Sequence, residues 1–175
     1  RGEIVALTGL VGAGRTEICE SLYGISPRNA GRFFLEGREI AIHAPADALA
    51  YGIGYLPEDR MKQGLVLDWD LIRNITLASL KNFSRKGFMQ PSQEKDIALR
   101  LTDNLKVKTT HIYAKASTLS GGNQQKLIVA KLLTSKLKLI ILDEPTKGVD
   151  VGAKTEIYRI MNRLAEEGYG IIMIS

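Results

Sequence analysis

A chain of 175 residues can bury one substantial core and is too short for two ordinary domains. With 45% apolar and 25% charged residues it has the balance of a folded globular protein. No apolar run comes near the ~20 residues of a membrane-crossing helix. Lys plus Arg (24) against Asp plus Glu (19) leave a net charge of +5. That excess could serve nucleic acid, a membrane surface or phosphorylated ligands, but the basic residues are scattered, which reads first as an ordinary solvated surface. The single cysteine, Cys19, excludes an internal disulfide and suits a reducing compartment. The chain opens directly on a strand-like stretch with no signal peptide and closes on another, so it is expected to be a piece of something longer.

Ile4–Thr8 predicts a buried strand, followed by a Gly-rich turn and a helix through Cys19, Leu22 and Tyr23. Gly24, Pro27 and Gly31 end that helix, and Arg32–Leu35 and Glu39–Ile42 form a hairpin around Glu36-Gly37. A short helix starts at Pro45 and runs to about Tyr51, before a strand at Ile53–Leu56. Leu71–Leu80 and Pro91–Leu105 have the spacing of amphipathic helices, with Lys81–Gly87 as a polar surface loop between them. A helix over about Gly122–Thr134, a strand at Leu137–Leu142, a helix near Ala153–Glu166 and a strand at Ile171–Ser175 complete the chain. This alternation predicts an α/β fold with a parallel core and a helical subdomain inserted at about 71–118.

Gly9-Leu10-Val11-Gly12-Ala13-Gly14-Arg15-Thr16 lies between a strand and a helix, where a phosphate-binding loop belongs. Glycines let backbone N–H groups turn inward, the helix N-terminus adds positive potential, and Thr16 stands at the Mg²⁺-ligating hydroxyl position. Arg15 departs from the lysine of the pattern, and a planar guanidinium does not thread a tight loop as an ammonium does. The relaxed pattern arises by chance on the order of 2% of the time, so alone it leaves a ligand-free Gly-rich turn equally open. Leu139–Leu142 then ends in Asp143-Glu144. Adjacent acids after a buried strand suit a Mg-nucleotide site, with Asp143 at the ion and Glu144 polarising an attacking water. A helix-start capping cluster before Pro145-Thr146 is the plainer alternative.

Leu119-Ser120-Gly121-Gly122-Asn123-Gln124-Gln125-Lys126 is the most specific stretch. Ser120 can cap a helix whose first free N–H groups make an anion site. Together with GLVGAGRTE (Gly9–Glu17), GYLPEDR (Gly54–Arg60) and LDEPTKGVDVGAK (Leu142–Lys154), it resembles the nucleotide-binding cassette of ABC transporters over essentially the whole chain. In finer detail the chain is similar to the second, C-terminal cassette of bacterial double-cassette importers of ribose, galactose, xylose and similar sugars.

The resemblance implies a P-loop NTPase fold of the ABC type: a parallel-sheet core with an antiparallel hairpin, in one truncated cassette over residues 1–175. It implies ATP and Mg²⁺ as cofactors. Gly9, Leu10, Val11, Gly12, Ala13, Gly14, Arg15, Thr16 and Glu17 would bind nucleotide, Thr16, Glu58 and Asp143 would attend the metal, and Glu144 would be catalytic. Ser120, Gly121, Gly122 and Asn123 would contact ATP held by a partner cassette, and Asp150 would sit in the loop that communicates across that interface. Implied partners are a second cassette, transmembrane permease subunits and, indirectly, a sugar-binding protein, with no nucleic acid. The implied location is the cytoplasmic face of the bacterial inner membrane. A non-hydrolytic, degenerate cassette acting as an interaction module is the alternative. A soluble ABC ATPase of translation or DNA repair would bring long inserts or heptads, which the sequence lacks.

Arg15 in place of lysine, Glu58 in place of glutamine, and an end at Ser175 before a switch-histidine position are the departures from that pattern. An adenine-stacking aromatic would lie upstream of Arg1. Cys19 is expected in the core, His43 and His111 on the surface, and Trp69 as either a local packing residue or a subunit contact. Lys81, Arg85 and Lys86 read as a solvated loop, or as a membrane-surface contact.

Overall fold

The computed structural model describes residues 2–10 and 12–175, so the expected role of Val11 falls outside the described residues. Strand β1 (Ile4–Leu7) leads through the Gly-rich turn into α1 (Arg15–Tyr23). Gly24 ends that helix in the left-handed conformation, its N–H donating to the Ser21 carbonyl. β2 (Phe33–Leu35) and β3 (Arg38–Ile40) pair antiparallel around Glu36-Gly37, both at positive φ, as a two-residue hairpin requires. α2 (Pro45–Tyr51) begins with proline in its first turn, and Asp47 accepts hydrogen bonds from the His43 and Ala44 amides. β4 (Ile53–Leu56) follows at once.

A π turn at Arg60–Gly64 precedes α3 (Leu71–Thr76), which Asp70 caps through the Arg73 amide. The helix expected to reach Leu80 stops at Thr76 and continues as 3₁₀ turns over Leu77–Phe83. Its end is tied sideways. Thr76 Oγ1 bonds Glu94, and Ser79 Oγ, at a non-helical φ of −136°, bonds Thr134. These hydroxyl bonds to distant segments hold the chain off the regular helical ladder at Ser79. The Lys81–Gly87 stretch, expected to be a loop, instead carries a small hairpin, β5 (Ser84–Arg85) with β6 (Phe88–Met89), turning at Lys86 and Gly87. Lysine at positive φ gives no turn signal in a sequence, which hides the hairpin. α4 (Pro91–Asn104), α5 (Gly121–Leu133), β7 (Leu139–Asp143), α6 (Val151–Glu166) and β8 (Gly170–Ile174) complete the order.

β1, β8, β7 and β4 form one parallel sheet in that order. Side chains alternate across it. Ile140, Leu142 and Ile171 join the cluster under α5 and α6, whereas Ile141, Ile53, Tyr55 and Ile174 join Cys19 and Ala48 under α1 and α2. The first cluster runs on without a break through Leu71, Ile75, Ala98 and Leu101, so the helices of 71–118 share a core with the sheet. Each fully buried aliphatic there contributes about 1.5–3 kcal/mol. β1 is the exception to the expected burial: it stands at the sheet's edge, and Val5 is 45% exposed. No helix among the described residues is long and apolar enough to cross a membrane.

Candidate functional site

Parallel order puts the carboxyl ends of all four strands on one side, where α/β sheets bind ligands. β1 delivers the Gly9–Thr16 turn there, β4 delivers Glu58, β7 delivers Asp143 and Glu144, and β8 delivers Ser175. The residues that sequence singled out from three separate motifs therefore converge.

Asp143 is fully buried at the end of β7. Thr16 Oγ1 lies 3.3 Å from its Oδ1, and the Tyr55 hydroxyl donates to its Oδ2 at 2.9 Å. Burial pushes its pKa upward, the hydroxyl bonds from Tyr55 and Thr16 oppose that, and the Glu58 and Glu144 charges add to the rise. A buried carboxylate whose neighbours include two more is an oxygen site short of positive charge. Those features suit a hard divalent cation such as Mg²⁺ completed by ligand oxygens. No group of three or more His, Cys, Asp or Glu among the described residues is gathered tightly enough to hold a metal by itself.

Glu58, expected at the metal, is ion-paired with the Lys147 ammonium. That pairing raises the Lys147 pKa, to which Glu144 and Asp143 also contribute. Glu144 itself sits at φ +46°, a left-handed conformation that costs a non-glycine residue about 1–2 kcal/mol. Its N–H donates to the Ile174 carbonyl at 3.2 Å and its carbonyl accepts from Lys147 at 3.0 Å, which fixes the turn beyond the strand.

In the loop after β1, Gly12 and Gly14 take φ of +83° and +78°, so the chain curls there without a Cβ in the way. The Ala13 N–H closes on the Leu10 carbonyl at 3.1 Å. Arg15 is turned aside: its Nη1 donates to the Ser175 carbonyl at 2.6 Å. Glu17 is exposed in the first turn of α1, where a negative charge suits the helix dipole.

Ser120 stands at the N-cap position of α5, but its hydroxyl caps no backbone amide. Instead Ser120 Oγ accepts from Asn123 Nδ2 at 2.9 Å, while Asn123 Oδ1 takes the Lys108 amide. The expected side-chain cap is therefore corrected: Asn123 diverts the hydroxyl and leaves the first amides of α5 without that partner. α6 starts alongside, capped by Asp150 Oδ1 on the Ala153 amide at 2.9 Å. A cleft of about 180 Å³ lies between the two helix starts, lined by Ser120, Gly122, Asn123, Asp150 and Gly152. Gly122 is required by contact, because a Cβ there would fall 2.5 Å from that of Ala153.

Residues 1–147 match the family described as ABC transporter. The chain belongs to the ABC transporter family. Over its whole length the cassette is 46% identical to a ribose import ATP-binding protein, RbsA 3, of Rhizobium etli, of which it covers 34%. It is also 46% identical to the xylose import ATP-binding protein XylG of Geobacillus kaustophilus, over 99% of the cassette and 35% of that protein. The chain thus spans about a third of the length of these curated relatives. Among solved structures, the ATP-binding cassette MJ1267 superposes with a TM-score of 0.84 at 23% identity, over 100% of this chain and 71% of that one. A dimeric post-hydrolysis state of the cassette MJ0796 bound to ADP and Pi gives 0.81 at 20%, over 99% and 75%. At those identities the likeness is one of fold.

Sequence reasoning missed Lys147 as the partner of Glu58 and Tyr55 as a ligand of Asp143. Both contacts join residues more than eighty positions apart. A lysine three residues after the Asp-Glu motif, in a cassette with glutamate for glutamine, was the available signal.

Proposed function

We propose that this cassette is the ATP-binding and ATP-hydrolysing motor domain of an importer for a simple sugar, the second of two cassettes in a longer protein. The observation that carries the reading is the buried Asp143 carboxylate, bonded to Thr16 of the phosphate loop and followed by Glu144. Relatives whose names specify ribose and xylose import support the substrate class.

In this reading Gly9, Leu10, Gly12, Ala13, Gly14 and Arg15 receive the phosphates through loop amides and the helix start. Thr16 and Asp143 hold Mg²⁺, which when bound neutralises phosphate charge and offsets the surrounding carboxylates. Glu58, with Lys147 against it, flanks the ion, and Glu144 acts as general base on water. Ser120, Gly121, Gly122 and Asn123 complete the site of a partner cassette. Permease subunits receive the motion at the cytoplasmic face of the bacterial inner membrane, and a sugar-binding protein delivers the cargo.

One observation favours a second reading, a degenerate cassette serving mainly its partner. Arg15 is spent on the Ser175 carbonyl rather than left free over the loop. The two readings separate on ATP turnover by the intact two-cassette protein whose other catalytic glutamate has been replaced. Glu144→Gln is expected to lower that turnover by roughly 10²–10⁴-fold, whereas unchanged turnover supports the degenerate module.

A further inference from the structure

Arg60 lies outside every role assigned above, yet its guanidinium joins three separate segments. Its Nε donates to Gln124 Oε1 of α5 at 3.1 Å, its Nη1 to the Lys147 carbonyl at 2.9 Å, and its Nη2 to the Gly148 carbonyl at 3.2 Å. Gln124 is 6% exposed and is held at its other end, where Nε2 donates to the Ala116 carbonyl at 3.2 Å. The guanidinium also explains a glycine. A Cβ on Gly121 would come within 2.7 Å of Arg60 Nη2 and 3.0 Å of the Gly148 carbonyl. Two residues earlier in the chain, Glu58 grips the same loop through the Lys147 side chain.

From this geometry we infer that Arg60 is a positioning residue: it sets the Ser120–Gly122 turn and the Lys147–Asp150 loop in register with each other and ties both to the segment carrying Glu58. A planar fork holds divergent donors at fixed angles to acceptors on two elements, a geometry that the compact point charge of a lysine ammonium does not impose. A change at Glu58 is thereby passed to the two segments that line the cleft between α5 and α6. The inference deepens the proposed function, since it concerns the surface that reading turns toward a partner's nucleotide.

The test uses the intact two-cassette protein with Arg60→Ala and Arg60→Lys, and Ser120→Ala as a control. In both Arg60 variants, amide exchange over 120–123 and 147–150 is expected to accelerate together by about tenfold, with Leu139–Asp143 unchanged. ATP turnover is expected to fall at least tenfold, with KM within twofold and the thermal midpoint little moved. Full activity and wild-type exchange in Arg60→Lys would overturn the inference, because charge alone would then suffice. So would faster exchange that spreads into Leu139–Asp143 with a matching fall in thermal midpoint, the signature of a purely structural residue. If Arg60→Ala does not fold, Arg60→Lys alone carries both outcomes. If Ser120→Ala leaves turnover unchanged, the proposed trans role fails instead, and the exchange measurement still decides Arg60.

Discussion

The hydrogen-bond donors nearest the Asp143 carboxylate are two hydroxyls rather than a cation, and it is fully buried with its pKa driven upward by that burial. A charge kept in such a place is destabilising until something neutralises it. Asp143→Asn in metal-free buffer is therefore expected to raise the thermal midpoint, by about 2–4 °C for each kcal/mol relieved, while abolishing Mg²⁺-dependent nucleotide binding. A lowered midpoint would mean the carboxylate is structurally favourable. Cys19 lies on the same side of the sheet, fully buried, its thiol pushed to about 11 by burial and, secondarily, by the charge of Asp143. A folded-state pKa that high keeps the thiol protonated through pH 9.5. Alkylation of the folded protein should then be slow but still climbing about tenfold per pH unit between pH 7.5 and 9.5, where the rate of a free thiol near 8.5 levels off. A rate that levels off within that window would place the thiol near its free value and show the burial to be incomplete.

Between elements, the contact of α5 with α6 is set by one missing methyl group. Gly122→Ala would put a Cβ 2.5 Å from Ala153 Cβ, and a rigid helix pair can relieve that only by shifting. The expected loss is about 1–3 kcal/mol, read as a lowered midpoint in thermal or denaturant unfolding, together with reduced turnover. Wild-type stability would mean the helices slide freely. The four parallel strands were legible in the sequence because each is an apolar run bounded by glycine, proline or charge, and the helices α4, α5 and α6 because their spacing or caps are local. The kink at Ser79 and the β5–β6 hairpin were not. The first is imposed by Thr134, 55 residues away, and the second turns on a lysine at positive φ. The phosphate loop, the Asp143-Glu144 pair and the Ser120–Asn123 turn were legible as strings. How Ser120 uses its hydroxyl, how Lys147 meets Glu58 and how Arg60 spans three segments depend on contacts that no local pattern encodes.

At the scale of the whole molecule, the sheet order brings the Gly9–Thr16 loop, Glu58, Asp143, Glu144 and Ser175 to the carboxyl ends of the strands, and the cleft between α5 and α6 forms a separate surface. In the proposed function, one cassette thus presents a site of its own and a surface for another's. The balance between them rests on Arg15, whose Nη1 donates to the Ser175 carbonyl. The most direct measurement is the MgATP affinity of this cassette by calorimetry, in the intact two-cassette protein with its other site disabled, for wild type and Arg15→Lys. Measurable binding to the wild type is expected, with at least a tenfold gain for the lysine variant, about 1.4 kcal/mol. Equal affinity for the two would contradict the weakened own site, and no binding to either would contradict the nucleotide site itself.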